Sequence, residues 1–262
     1  MKKIFIAEVR SALQHNQGVK RTLVTEEDLR QLPVIVQRYL RNCQVLGKEK
    51  VLNARVEMEG RMWSKPGGPG MKIKSVQYNF FDPYSRFFFI KAFKMGVPAV
   101  GLHVYKDEKA TMKIKLAGLF TIADAKGPEM NQGETVTLLN DMCFMAPATL
   151  ISKNLSWEIL EPTVVKANFT NGALRVSAIL YFDDDGNLLN FISYDRFETT
   201  DGKDYKNYPW STPVSEYGMI NGNRVPVRAK AIYQHPEGEF CYAEFIIKKI
   251  SYNTRLPITN DQ

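Results

Sequence analysis

The sequence predicts a mainly β, α+β fold: one large antiparallel sheet curled into a half-open barrel, with two or three helices packed on its concave side. Three observations predict it. From Val51 onward the apolar residues recur with period two over most of the chain, turn-forming residues separate these runs at hairpin spacing, and few segments carry helical periodicity. Neither βαβ spacing nor an internal repeat is found, which argues against parallel sheets and solenoids. A long sheet with one apolar face must cover that face or close on itself. Two or three helices suffice to plug a curved sheet but not to sandwich a flat one.

Residues 1–24 read as a helical N-terminal extension. MKKIFIAEVR begins like a signal peptide, but Glu8 and Arg10 interrupt the apolar run well short of the ~7–15 residues such a segment needs. Ile4, Phe5, Val9 and Leu13 form an apolar stripe that docks on the body or touches a membrane surface, docking being preferred. The body runs from 25 to 252. In VTEEDLRQLPVIVQRYLRN, Thr25 and Asp28 have capping-box spacing, and Pro33 suits a first helical turn. The pattern gives a short helical turn over 26–31 and a helix over about 33–42, with Val36, Tyr39, Leu40 and Cys43 as its buried stripe.

Strands begin at about residue 51. VLNARVEMEGRMW alternates Leu52, Ala54, Val56, Met58 and Met62 against a polar face. Past the loop SKPGGPG come MKIKSVQYNFF, RFFFIKAF and a hairpin turning at 106–109. Later hairpins close at Asp184-Asp185-Gly186, at Asn221-Gly222 and at HPEGE. This makes nine or ten strands, with one later helix within about 133–150 and a loose tail over 253–262.

Composition narrows function. At 44% hydrophobic residues a large core is affordable, and 35 basic against 28 acidic residues leave +7, a mild excess for 262 residues. Nucleic-acid binding is not expected: Lys72, Lys74, Tyr78 and Phe80 share one strand face, but alternating lysines ordinarily form the wet side of a sheet. Cys43, Cys143 and Cys241 are too far apart for a CxxC site and read as small hydrophobes. No P-loop, GxGxxG or GxSxG motif is found, and the three histidines lack metal-ligand spacing, so no cofactor, metal or catalytic residue is assigned. His103, in a strand opposite Leu102 and Val104, is an unsupported candidate for a general base. YFDDDGN fails the calcium-loop register, because position six counted from Asp183 is Leu188.

Two candidate sites stand out. Met58, Met62, Trp63, Tyr78, Phe80, Phe88 and Phe89 crowd neighbouring strands and could line a cavity for an acyl chain or other apolar ligand, or simply form core. GLFTIADAKGPEMNQGE places Asp124, Glu129 and Glu134 within eleven residues, with Gln77 as a further polar candidate. Acids near a helix start are favoured by its unpaired N–H groups, so capping explains them without a ligand.

LPVIVQRYLR, SVQYNFFDP, GLFTIADAKGPEMNQGE followed by LLND, and NYPW followed by NRVPVRA resemble an uncharacterised bacterial domain family of unknown function over residues 30–250. The resemblance implies no activity and no catalytic residue; many members carry N-terminal membrane helices, which are not evident here. The strand layout, with hairpins such as LYFDDDGNLLNF, is also similar to the LolA/LolB lipoprotein carriers, an incomplete barrel holding acyl chains beneath helices. The expectation is a non-enzymatic module binding an apolar or lipid-like ligand in the half-barrel. An enzyme using Asp124, Glu129 and Glu134, and an envelope-associated interaction scaffold, stay open. With no membrane-spanning helix evident, a cytoplasmic location is favoured and an envelope-associated one is the alternative; oligomeric state is unassigned.

Overall fold

The computed structural model describes residues 1–94 and 96–256. Three helices precede the sheet: α1 (Lys2–His15), α2 (Glu26–Leu29) and α3 (Val34–Asn42). Thr25 and Asp28 cap α2 reciprocally, and Pro33 stands at the N-cap of α3. Six strands follow as a meander: β1 (Asn53–Met62), β2 (Met71–Phe81), β3 (Tyr84–Lys94), β4 (Val97–Lys106), β5 (Lys109–Leu116) and β6 (Phe120–Lys126). Next come α4 (Pro128–Met145) and a 3₁₀ turn, Pro147–Ile151. The second arm holds β7 (Leu155–Glu161), β8 (Val164–Asn171), β9 (Leu174–Phe182) and β10 (Leu188–Ser193). Three two-residue strands, β11 (Phe197–Glu198), β12 (Lys206–Asn207) and β13 (Trp210–Ser211), lead to β14 (Val214–Ile220), β15 (Asn223–His235) and β16 (Gly238–Tyr252). The expected nine or ten strands thus become sixteen among the described residues, because β6, β7 and β8 were not foreseen and irregular stretches near Phe197 and Trp210 also pair.

Fourteen strands form one antiparallel sheet, ordered β6-β5-β4-β3-β2-β1-β16-β15-β13-β10-β9-β8-β7, with β14 beside β15. Its two ends stay unpaired, so the barrel is open between β6 and β7. Curvature follows from the contacts of α4, which touches β5 and β6 in one arm and β9 in the other. One helix can reach both arms only if the sheet wraps round it. The arms also meet at their rims: Glu108, in the β4–β5 turn, accepts from the Ala173 N–H at 2.8 Å, and Asn171 donates to the Tyr105 hydroxyl at 2.8 Å.

The concave side is filled. Helix α4 lies within it and is buried on every side from Gly133 to Phe144, consistent with a composition lacking a polar face. Six of the ten methionines serve this core, Met58, Met112, Met130 and Met142 within it and Met62 and Met145 against it; their unbranched side chains adapt to the uneven space round a helix. Helix α3 packs on the second arm, Tyr39 meeting Phe182 and donating its hydroxyl proton to the Cys143 carbonyl at 2.6 Å.

Helix α1 docks on the body, but not on the concave side. Phe5, Val9 and Leu13 pack on the opposite, convex face, over Tyr78, Phe80, Phe87, Phe89 and Leu102. The reason is local. Convex positions of β2–β4 are apolar where a fully wet face would be polar, and the α1 stripe supplies their cover. Each such side chain, fully buried, contributes about 1.5–3 kcal/mol. Residues 253–256 continue as ordered chain, Asn253 bonding to Glu49 and Lys50; the remainder of the expected loose tail lies outside the described residues.

Candidate functional site

Period-two alternation delivers a polar cluster into the apolar interior. Gln77 and Asn79 of β2 point inward between the convex-facing Val76, Tyr78 and Phe80. Cross-strand pairing sets Asn79 beside Arg86, Arg86 beside Tyr105, Gln77 beside Phe88, and Phe88 beside His103. From α4 come Glu134 and Asp141, seven residues and about two turns apart, hence on one face.

Arg86 organises these groups. Its Nη1 donates to Glu134 Oε2 at 2.9 Å, its Nε to Asp141 Oδ2 at 2.8 Å and its Nη2 to Gln77 Oε1 at 2.8 Å. Asp141 Oδ2 also accepts from Gln77 Nε2 at 2.7 Å and Asn79 Nδ2 at 3.2 Å, while His103 Nδ1 lies 3.0 Å from Glu134 Oε1. The guanidinium stands 4.9 Å over the Phe88 ring. Burial alone would raise the Glu134 carboxyl, but Arg86 and His103 outweigh it and hold the group at about 2. Asp141 moves the other way: burial raises it, and Arg86 with the neighbouring amides offsets this only in part. Both acids share one guanidinium, and only Glu134 gains a histidine as well.

The cluster ties α4 to the inner face of β2, β3 and β4. Its charges are paired and removed from water, and neither cavity described below is lined by its members. Desolvation offsets much of the attraction in a buried ion pair of this kind, whereas removing one partner leaves a costly unpaired charge. Among the described residues no group of three or more His, Cys, Asp or Glu could hold a metal.

Of the polar candidates, Gln77 and Glu134 therefore meet through Arg86. Asp124 and Glu129 do not join them: Asp124 is exposed on β6, paired with Lys113 at 2.8 Å, and Glu129 sits in the first turn of α4. Glu134 lies in the second turn of a helix that starts earlier than expected, so capping does not account for it. The apolar candidates divide likewise. Met58 and Phe88 face the interior, Tyr78, Phe80 and Phe89 lie beneath α1, Met62 is half-buried at the core margin, and Trp63 follows β1 against Gly70. They line no common space. Arg86, Asn79 and Asp141 went unmarked in the sequence. The available signal was parity: Arg86 stands two residues from the inward Phe88, in a run too apolar to leave a charge unpaired.

The larger opening lies elsewhere. Leu155, Trp157 and Ile159 of β7 pair with Phe169, Ala167 and Val165, whose side chains enter the core, so all three face the concave side at its edge. Between them, the α2–α3 junction (Gln31, Leu32, Pro33) and Ile151–Lys153 runs a cleft of about 540 Å³. Ile159 remains 68% exposed, and the Trp157 indole N–H is buried with no hydrogen-bond partner. A second cavity of about 190 Å³ lies between Cys43, Pro147, Val225 and Tyr252. Its cations are engaged, Arg21 with Glu49 at 2.6 Å and Lys48 with Asn223 at 2.8 Å. Burial pushes the Cys43 thiol there up to about 12, which leaves it unreactive.

Among solved structures, the chain is similar to a DUF1329 family protein from Desulfovibrio piger, at 12% identity over 86% of this chain and 95% of that one, TM-score 0.47. It is similar to a putative outer membrane lipoprotein-sorting protein domain from Vibrio parahaemolyticus, at 12% identity over 78% and 87%, TM-score 0.42. A LolA superfamily protein from Nitrosomonas europaea shares 9% identity over 89% and 96%, TM-score 0.43. No curated protein matches the chain. No described helix is long and apolar enough to cross a membrane. The motifs running from the α3 helix to the late strands fall within residues 22–245, which one family model matches: the chain belongs to the family of unknown function DUF6544.

Proposed function

We propose that the protein is a non-enzymatic binding module for an amphiphilic, lipid-like ligand, taken up at the β7 cleft rather than in the filled centre of the half-barrel. One observation carries the reading: a groove of about 540 Å³, whose lining mixes apolar side chains with Gln31, Ser152, Lys153 and Ser156, contains Trp157, whose indole N–H has no partner. The volume falls within the usual range for small-molecule sites, about 300–1,000 Å³. Leu32, Pro33, Ile151, Leu155 and Ile159 offer the surface against which an acyl chain lies, and ten buried methylenes would supply about 8 kcal/mol before the costs of association. A small rotation of the indole would bring its buried N–H to a ligand oxygen, the acceptor it lacks, and the Lys153 ammonium at the rim favours an anionic head.

Titration with 11-(dansylamino)undecanoic acid, read by energy transfer from tryptophan, tests this. Saturable binding is expected, weakened at least tenfold by Leu155→Arg. Unsaturable binding, or a Leu155→Arg variant equal to wild type, overturns the reading.

A further inference from the structure

We propose that the β5–β6 turn and the adjoining ends of β3 and β4, at Phe93 and Val97, form a docking surface for an anionic lipid bilayer. This goes beyond the ligand cleft and does not rest on it. The tips are neighbours: Pro98 pairs with Phe93, and its carbonyl accepts from the Ala117 N–H at 2.7 Å. In the β5–β6 turn Ala117 and Gly118 both have positive φ, 51° and 71°, a tight turn that projects the following residues outward. Phe93, Val97, Leu119, Phe120 and Ile122 are 54%, 39%, 75%, 67% and 52% exposed, five large apolar side chains gathered at one end of the sheet. Scattered apolar residues are ordinary on a surface, but a contiguous group marks a contact.

Charge identifies the occupant. Of the eleven Lys and Arg between Gly60 and Ala123, Arg86 is buried with Glu134 and Asp141, and Lys74, Lys106 and Lys113 pair with Glu59, Glu8 and Asp124; the three acids of this stretch, Asp82, Asp107 and Glu108, all sit in the turns at the opposite end of these hairpins. Cross-strand pairing places Arg61 beside Lys72, Lys72 beside Phe93, and Lys91 and Lys115 on either side of Val100. Arg61, Lys72, Lys91 and Lys115 have no ion pair among the described residues. Apolar tips flanked by unpaired cations match a bilayer interface, where hydrocarbon lies behind anionic headgroups. The apolar stripe of α1, the other membrane candidate, is spent on the sheet.

Flotation of the full chain with vesicles of phosphatidylcholine, alone or mixed with phosphatidylglycerol, tests the surface. Partitioning onto the anionic vesicles is expected to exceed that onto neutral ones at least tenfold and to fall as salt is raised. Leu119→Asp with Phe120→Asp, at exposed positions that leave the melting temperature unchanged, should reduce it at least tenfold, and Lys72→Glu with Lys115→Glu should reduce it severalfold. Equal flotation with both vesicle types, or binding indifferent to both double variants, overturns the proposal. So does a dimer in sedimentation that Leu119→Asp with Phe120→Asp dissociates while vesicles bind nothing, since the tips then serve a second copy of the chain.

Discussion

Arg86 Nη1 lies 2.9 Å from Glu134 Oε2, and both side chains are almost wholly withdrawn from water. The pair joins the inner face of β3 to α4, the helix on which the sheet is wound. Removing one partner strands the other, at about 3–5 kcal/mol. Arg86→Met is therefore expected to destabilise by that amount in urea unfolding. Adding Glu134→Gln and Asp141→Asn should recover much of the loss, because neither carboxylate is then left without its guanidinium. Equal stability of the single and triple variants would speak against the pairing.

The same pair sets an acid limb. Glu134 is held at about 2 against an ordinary 4.5, so its contribution is complete above pH 4.5 and lost as pH falls from there toward 2. The amount is about 3 kcal/mol. Asp141 opposes it, since its raised carboxyl weakens the fold at neutral pH and relieves it on protonation. The stability gap between wild type and Glu134→Gln should shrink as pH drops below 4.5. A constant gap across pH 2.5–6, measured by urea midpoint, would refute the assignment.

Phe88 and Phe89 are chain neighbours on opposite sides of the sheet, one inside and one beneath α1. Phe5 meets Phe89 with ring centroids 5.6 Å apart. Phe5→Ala is expected to cost about 3–5 kcal/mol, as for other buried Phe. Removing residues 1–15 should bare the convex aromatic patch and make the protein bind a hydrophobic dye such as ANS.

Trp157 separates stability from binding. A buried donor without a partner costs about 1–3 kcal/mol, so Trp157→Phe should leave the melting temperature equal or higher. It should also weaken an oxygen-bearing amphiphile severalfold while sparing a plain hydrocarbon. A large loss of stability would show instead that the indole N–H is satisfied.

The curled antiparallel sheet was legible because period two, turn residues and the scarcity of helical stretches all agree over residues 51–252. The capping box at Thr25 and the positive-φ pair Asn221-Gly222 could be read locally as well, since each depends on adjacent residues alone. The sites were less legible. Crowding of Tyr78, Phe80, Phe88 and Phe89 in sequence suggests one cavity, but parity sends Phe88 to the face opposite the other three. Glu134 resembles a capping acid until the helix is seen to begin at Pro128. The β7 cleft depends on where α2 and α3 fall against an edge strand more than a hundred residues later, and no local pattern encodes that.

Native mass spectrometry of the gently purified full chain tests the central claim most directly. Wild type is expected to carry a single amphiphile of lipid mass, released by organic solvent, and Leu155→Arg to carry none. A wild-type protein with no adduct after incubation with a lipid extract, or an adduct that Leu155→Arg retains in full, would contradict binding at the β7 cleft.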